Sequence, residues 1–108
     1  MKVTMYHKLV RDKIPEIIEK SGKSCNYSTL AEGEYLTLLD QKLHEELNEY
    51  QESKSLEELA DLLEVIRAVA VARGGTLEEL EAVRARKAKE RGAFAKRILL
   101  TEVRQEEE

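Results

Sequence analysis

A five-residue acidic pattern occurs twice in this chain, and the spacing of the two copies constrains the fold more than any other feature. EELNE occupies residues 45–49 and EELAD occupies residues 57–61, twelve residues later. The polar stretch between them, QESKS, has the composition of a turn, and Ser55 precedes Glu58 by three residues, a signature of a helix start. The pattern therefore predicts two helices joined by a tight turn, an antiparallel αα-hairpin.

Four acidic residues of this hairpin are predicted to face one another. Glu46 and Glu49 lie one turn apart on one side of the first helix, and Glu58 and Asp61 repeat that relation on the second. Carboxylates held together without partners repel and raise one another's pKa. A hard divalent cation with oxygen ligands removes the repulsion, and Mg²⁺ commonly keeps waters for phosphate oxygens. These four residues are therefore candidate ligands for Mg²⁺, with Mn²⁺ as a substitute, and Glu45 is a weaker candidate that supports the others.

A structural interpretation of the same acids remains open, because Glu-rich helices are usually solvated and Glu58 could simply cap its helix. The helical phase of residues 56–73 argues against full solvation. Asp61 shares a face with an apolar stripe, and Glu58 flanks the main apolar stripe on that side. The main stripe is formed by Leu59, Leu62, Leu63, Ile66, Val69 and Ala70, and the second by Val65, Ala68 and Ala72. Both acids therefore point toward buried surface, where a charge needs a partner.

The composition favours one all-α domain over residues 1–108. Charged residues make up 37% of the 108 positions and aromatic residues 5%, which suits a helical chain better than a β-sandwich. The net charge of −4 argues against broad nucleic-acid binding. No apolar run of membrane-spanning length and no signal peptide is present, so we expect a cytoplasmic protein without a membrane partner. Cys25 is the single cysteine and excludes an intramolecular disulfide, and two histidines make a zinc site improbable.

Four helices are expected from the pattern of caps and apolar residues. The first begins at Asp12 and ends before Gly22, and the second follows a capping box formed by Thr29 and Glu32. The third covers residues 56–73 and the fourth runs from Thr76 to about residue 90, with an apolar segment after it and a frayed tail at 103–108. Because the third helix is apolar on nearly two sides, we expect a helical bundle completed by a second subunit. The stripe formed by Val65, Ala68 and Ala72 is the side predicted to need that cover.

EELNE followed by EELAD resembles the E-E-x-x-E … E-x-x-D signature of the MazG-like all-α NTP pyrophosphohydrolases. The flanks YHKLVRDKIPEII at 6–18 and KAKERGAFAKRILL at 87–100 are similar to those of one branch of that family. Proteins of that branch are often described as phosphoribosyl-ATP pyrophosphohydrolase-like or house-cleaning pyrophosphatases. Eight residues separate Glu49 from Glu58, where typical members have a longer insert, so the resemblance leaves the substrate open.

The resemblance implies an enzyme that cleaves the α–β phosphoanhydride of a nucleoside triphosphate and releases a monophosphate and pyrophosphate. It implies that Glu46, Glu49, Glu58 and Asp61 hold Mg²⁺, and that basic residues of the two flanks contact the phosphates: Lys8, Arg11, Lys87 and Arg91. It also implies homodimers or higher homo-oligomers. Two alternatives stay open, a phosphoribosyl-ATP pyrophosphohydrolase and a non-catalytic dimeric helical module that binds a protein partner.

Overall fold

Four α-helices are the regular secondary structure of the part that the computed structural model describes, residues 1–107. They are α1 (Ile14–Lys20), α2 (Glu32–Ser53), α3 (Leu56–Ala72) and α4 (Leu77–Arg91). No β-strand occurs within residues 1–107. The all-α prediction is therefore confirmed. None of these helices combines the length and the apolar run that crossing a bilayer requires.

Side chains and backbone at the helix ends explain where α2, α3 and α4 stop and start. The Ser55 hydroxyl accepts a hydrogen bond from the Glu58 N–H, and the Thr76 hydroxyl accepts one from the Glu79 N–H, as predicted. Lys54 ends α2 in the left-handed region, with φ of 57°, and only two residues connect α2 to α3. Gly74 adopts a φ of +96° after α3, a conformation that favours glycine.

The predictions for the start of α1 and α2 were wrong. Lys13, and not Asp12, precedes the first helical residue, and its side chain makes no capping bond. Ala31 precedes α2 without a side-chain cap, so Thr29 and Glu32 do not form the expected capping box. In both places the helix begins one or two residues later than its polar signal. Residues 94–103 form no helix, and the expected fray at 103–108 includes Glu108, which lies outside the described residues.

The longest helices, α2 and α3, pack against each other, and α4 packs against α3. Asp40 in the first half of α2 forms an ion pair with Arg73 just after α3, with 2.8 Å between Oδ2 and Nη2. Leu39 is buried on α2, and Leu62, Val65 and Val69 are half-buried on α3. The apolar residues between the two helices therefore form most of the core that one copy of the chain provides.

The residues that α3 leaves exposed are not the ones that the sequence predicted to need cover. Val65, Ala68 and Ala72 are half-buried, whereas Leu59, Leu63 and Ile66 from the main stripe are 41%, 55% and 37% exposed. The other residues of the main stripe, Leu62, Val69 and Ala70, are half-buried. We call Leu59, Leu63 and Ile66, together with the 39%-exposed Leu47 of α2, the apolar face.

An open groove adjoins the apolar face between α2 and α3. Its volume is about 320 Å³, and its lining is largely aliphatic, from Leu43, Leu47 and Leu62, with Asp40 and His44 at its edge. Grooves of this kind between helices are common places for a ligand or a further helix to pack. The apolar face and the groove together leave one side of the packed pair α2 and α3 without cover.

One copy of the chain is too extended to be a compact domain. Its radius of gyration is 19.7 Å and its extents are 75 × 31 × 24 Å, whereas a compact chain of this length has a radius of about 13 Å. Its accessible surface is 10311 Å², compared with about 6,100 Å² expected for a folded monomer of this mass. A large part of the surface that a globular domain buries is therefore exposed in the single chain.

Candidate metal centre

The predicted acids of α2 and α3 come together where the two helices face each other. Two groups of three carboxylates form there, and within each group one oxygen per residue lies within 4.8 Å of the others. The first group is formed by Glu45, Glu46 and Glu49. The second is formed by Glu46, Glu58 and Asp61, so the two groups share Glu46. The structure therefore brings together all four predicted metal ligands and the supporting Glu45.

Glu46 is the most buried charged residue of the site. It is 6% exposed, and its Oε2 atom is buried with no hydrogen-bond partner among residues 1–107. Its Oε1 atom lies 3.2 Å from the Lys42 ammonium. Burial raises the pKa of Glu46, the Lys42 ammonium opposes this shift, and the neighbouring Glu49 adds to it. A buried carboxylate oxygen without a partner is unfavourable unless something occupies that position.

The capping interpretation accounts for the backbone of Glu58 but not for its side chain. In a capping box, the Glu58 carboxylate would accept a hydrogen bond from the Ser55 N–H. That N–H instead donates to the Ser53 hydroxyl at 3.2 Å, and the Glu58 N–H donates to the Ser55 hydroxyl at 3.2 Å. Glu58 Oε2 is buried and lacks a partner within the described chain. The carboxylate of Glu58 is therefore available to the site.

Two predicted phosphate-binding residues reach the acids from the segment before α1. The Lys8 ammonium lies 3.1 Å from Glu45 Oε1, and the Arg11 guanidinium lies 2.6 Å from Asp61 Oδ1. The hydrogen bond with Glu45 raises the pKa of Lys8. Both pairs are substantially exposed, so each stabilises the fold only weakly. These two ion pairs matter for the site because they place two cations beside the carboxylates.

Lys42 is a site residue that the sequence analysis missed. Its ammonium lies 3.2 Å from Glu46 Oε1 and 3.8 Å from Glu45 Oε1, and its side chain is 22% exposed. The signal was present in the sequence, because Lys42 precedes these glutamates by three and four residues and so shares their face of α2. Lys42 therefore belongs with the acids as a fixed cation.

The other two predicted phosphate-binding residues, Lys87 and Arg91, lie elsewhere in the same copy. Both are exposed on α4 and form no ion pair within residues 1–107. Within residues 1–107, the backbone of α4 comes close to α3 but not to α2. A single copy therefore does not bring Lys87 and Arg91 to the carboxylates.

The charges of the site fit a divalent cation. Five carboxylates, from Glu45, Glu46, Glu49, Glu58 and Asp61, meet three cations, from Lys8, Arg11 and Lys42. The difference is two negative charges when all five are ionised, and two of the carboxylate oxygens are buried without partners. Oxygen ligands alone, as here, suit Mg²⁺ or Mn²⁺. The donor set therefore fits the ion that the sequence predicts.

The raised pKa of Glu46 predicts how Glu46→Gln changes stability with pH in metal-free protein. Below its ordinary value of 4.5, Glu46 is protonated in both folded and unfolded chains and has no pH-dependent effect. Above the raised folded value, the folded chain holds a buried charge, so wild type loses stability relative to the variant. We expect the free energy of unfolding of the variant, minus that of wild type, to increase as the pH rises above 4.5, and to level off once the pH exceeds the raised pKa of folded Glu46.

Urea unfolding followed by circular dichroism in a chelator measures this difference. Glu52→Gln, which neutralises an exposed glutamate on the same helix, is the control and should show no such trend. A difference that does not change with pH would contradict the burial of an ionised Glu46.

Comparison with known proteins gives one short similarity. A protein of Mycolicibacterium smegmatis described as uncharacterized is 51% identical over 41 residues, which are 38% of this chain and 42% of that protein. The chain thus matches less than half the length of that relative. No protein-family model matches the chain. No solved structure matches it either. The resemblance to the MazG-like enzymes therefore stays a prediction.

Proposed function

We propose that the protein is a Mg²⁺-dependent nucleotide pyrophosphohydrolase of the house-cleaning type, cleaving an NTP to a monophosphate and pyrophosphate. The observation that carries the proposal is the buried Glu46, whose partnerless oxygen lies in a cluster of five carboxylates. A solvated acidic helix face would not bury such an oxygen. The resemblance of the acidic motif to the MazG-like enzymes supplies the reaction.

The roles of the residues follow from their positions. Glu46, Glu49, Glu58 and Asp61 would hold the cation, and Glu45, which contacts Lys8 and Lys42, would orient the cations beside it. When bound, Mg²⁺ would lower the pKa of water and offset charge on the phosphates. Cys25 has no partner for nucleophilic catalysis, and no G-x-S-x-G motif occurs, so water is the proposed nucleophile.

The basic residues would bind the polyphosphate. Lys8 and Arg11 are already within contact distance of the carboxylates, so a small movement would turn them toward phosphate oxygens. Lys87 and Arg91 would reach a site from the partner copy, which is consistent with their distance from α2 in their own copy. The four cations would then surround a phosphate chain whose other side faces the metal.

The proposed assembly is a homodimer or a higher homo-oligomer built on an antiparallel α2–α3 hairpin. The pairing of Asp40 with Arg73, and the proximity of Glu46 to Asp61, support antiparallel packing, because the residue further along α2 meets the residue nearer the start of α3. The apolar face and the excess exposed surface support a second subunit. A two-fold axis buries the same apolar face on both copies at once and completes a four-helix bundle.

A substrate panel tests the activity. We expect pyrophosphate to be the first product when canonical and modified NTPs, and phosphoribosyl-ATP, are incubated with the protein and Mg²⁺. Selective turnover of phosphoribosyl-ATP would identify the protein as a phosphoribosyl-ATP pyrophosphohydrolase, the alternative that the resemblance leaves open. Orthophosphate as the first product would contradict α–β cleavage.

The exposed apolar face also favours a second function, a non-catalytic helical module that binds a protein. In that case the carboxylates would be structural and would not bind a cation. Isothermal titration calorimetry separates the two functions. Absence of Mg²⁺ or Mn²⁺ binding at millimolar concentration would favour the module over the enzyme.

A further inference from the structure

The segment before α1 is attached to the carboxylate site through ion pairs that cross a large part of the sequence. Lys8 pairs with Glu45, 37 residues away, and Arg11 pairs with Asp61, 50 residues away. We call residues 1–13 the N-terminal segment. Its two ion pairs use acids from both groups of carboxylates that were identified above as candidate ligands.

Little else in the described chain ties this segment to the hairpin. The helix that follows it, α1, makes no close backbone approach to α2, α3 or α4. The backbone hydrogen bonds of the segment are local, from Ile14 N–H to the Arg11 carbonyl and from Ile17 N–H to the Lys13 carbonyl. Most of its apolar side chains are exposed, including Val3, Met5 and Tyr6. Two exposed ion pairs hold a segment only reversibly.

Lys42 differs from Lys8 and Arg11 in this respect. It also contacts the carboxylates, but it lies within α2, one turn from Glu46, and α2 fixes its position. Lys8 and Arg11 are the cations of the site that can leave without disturbing a helix. The site therefore combines one permanent cation with two that can be exchanged.

We infer that a divalent cation and the N-terminal segment compete for the same carboxylates, so that the segment neutralises the metal-free site and is released when metal binds. This inference rests on the proposed function. Ligation draws carboxylate oxygens toward the metal and removes the net negative charge that holds Lys8 and Arg11. The released cations are then free for an anionic substrate, so metal binding precedes phosphate binding by this segment.

Limited tryptic digestion of the 108-residue chain measures the release, because trypsin cleaves after an accessible lysine or arginine. The bond Lys8–Leu9 reports on the N-terminal segment, and the bond Arg97–Ile98, in an exposed region far along the chain, corrects for effects of the ion on trypsin. We expect millimolar Mg²⁺ to raise the ratio of the two cleavage rates about two- to thirtyfold, the range that follows from losing two exposed ion pairs. NaCl at equal ionic strength should change the ratio less.

Variants that lack the two carboxylates paired with the N-terminal segment test the same release without adding metal. Glu45→Gln with Asp61→Asn removes both carboxylates that hold the segment and should give the high ratio without Mg²⁺. Glu52→Gln with Glu64→Gln, which neutralises one exposed acid on each of the same helices, should retain the low ratio.

The outcomes separate this inference from the proposed function. An unchanged ratio in the first double variant would overturn the inference, whether or not metal binds. An unchanged ratio in wild type, while calorimetry on the same sample shows Mg²⁺ binding, would overturn the inference and leave the metal site intact. Absence of Mg²⁺ binding would overturn both.

Discussion

Glu49→Gln combined with Asp61→Asn is expected to abolish pyrophosphate release and Mg²⁺ binding while leaving the helices folded. Glu49 belongs to one group of three carboxylates and Asp61 to the other, so the double variant weakens both around the shared Glu46. Metal ions contribute several kcal/mol to transition-state stabilisation. We therefore expect kcat/KM to fall by about a hundredfold or more, since about 1.4 kcal/mol corresponds to a factor of ten.

Three measurements on the same preparation test this result. Pyrophosphate release gives the activity, calorimetry gives Mg²⁺ binding, and circular dichroism gives helix content and the melting temperature. The variant should melt close to wild type without metal, because the repulsion between acids that it removes offsets the loss of the exposed ion pair between Arg11 and Asp61. Glu52→Gln with Glu64→Gln is the matched control and should keep both activity and binding. Full activity in the Glu49 and Asp61 double variant would exclude this cluster as the active site.

Leu63→Glu is expected to convert the proposed homo-oligomer into monomers. Leu63 is 55% exposed at the middle of the apolar face. A two-fold axis would bury it twice per dimer, and a buried Leu contributes about 1.5–3 kcal/mol relative to an exposed one. Two lost burials, with two unpaired charges at the interface, should weaken dimerisation by a factor of about a hundred or more.

Light scattering at micromolar concentration should give wild type a mass of at least twice the 12.4 kDa of one chain, and the variant a mass near that of one chain. Val83→Glu on α4 is the control, because Val83 is also an exposed apolar residue, at 40%, but lies outside the apolar face. A monomeric wild type would contradict the proposed assembly, and an oligomeric Leu63→Glu would exclude the apolar face as its interface.

Local sequence signals located most of the helices and the acids that meet. The two caps confirmed, Ser55 and Thr76, each place a hydroxyl oxygen within reach of an N–H three residues ahead, and this geometry depends on neighbours alone. Glu46, Glu49, Glu58 and Asp61 come together because helical phase and a short turn fix their faces. The failed signals are Asp12, which precedes a helix with Pro15 in its first turn, and Thr29, which precedes a helix that begins after Ala31 without a side-chain cap.

Two parts of the site depend on tertiary structure and could not be derived from periodicity. Lys8 and Arg11 lie in an irregular segment, so nothing in their spacing shows that they meet acids 37 and 50 residues away. The exposed residues of α3 were predicted wrongly because both of its stripes are apolar, and apolar content alone does not show which residues a neighbouring helix covers.

The extended shape of the single chain links its thermal stability to its own concentration. A chain with a radius of gyration of 19.7 Å leaves exposed much of the apolar area that would otherwise offset its loss of conformational entropy. Under the proposed assembly, that area is buried only between copies, and folding then gains free energy from association by mass action. The midpoint of thermal unfolding would rise as the protein is concentrated. Dilution would favour unfolding even at constant temperature and pH.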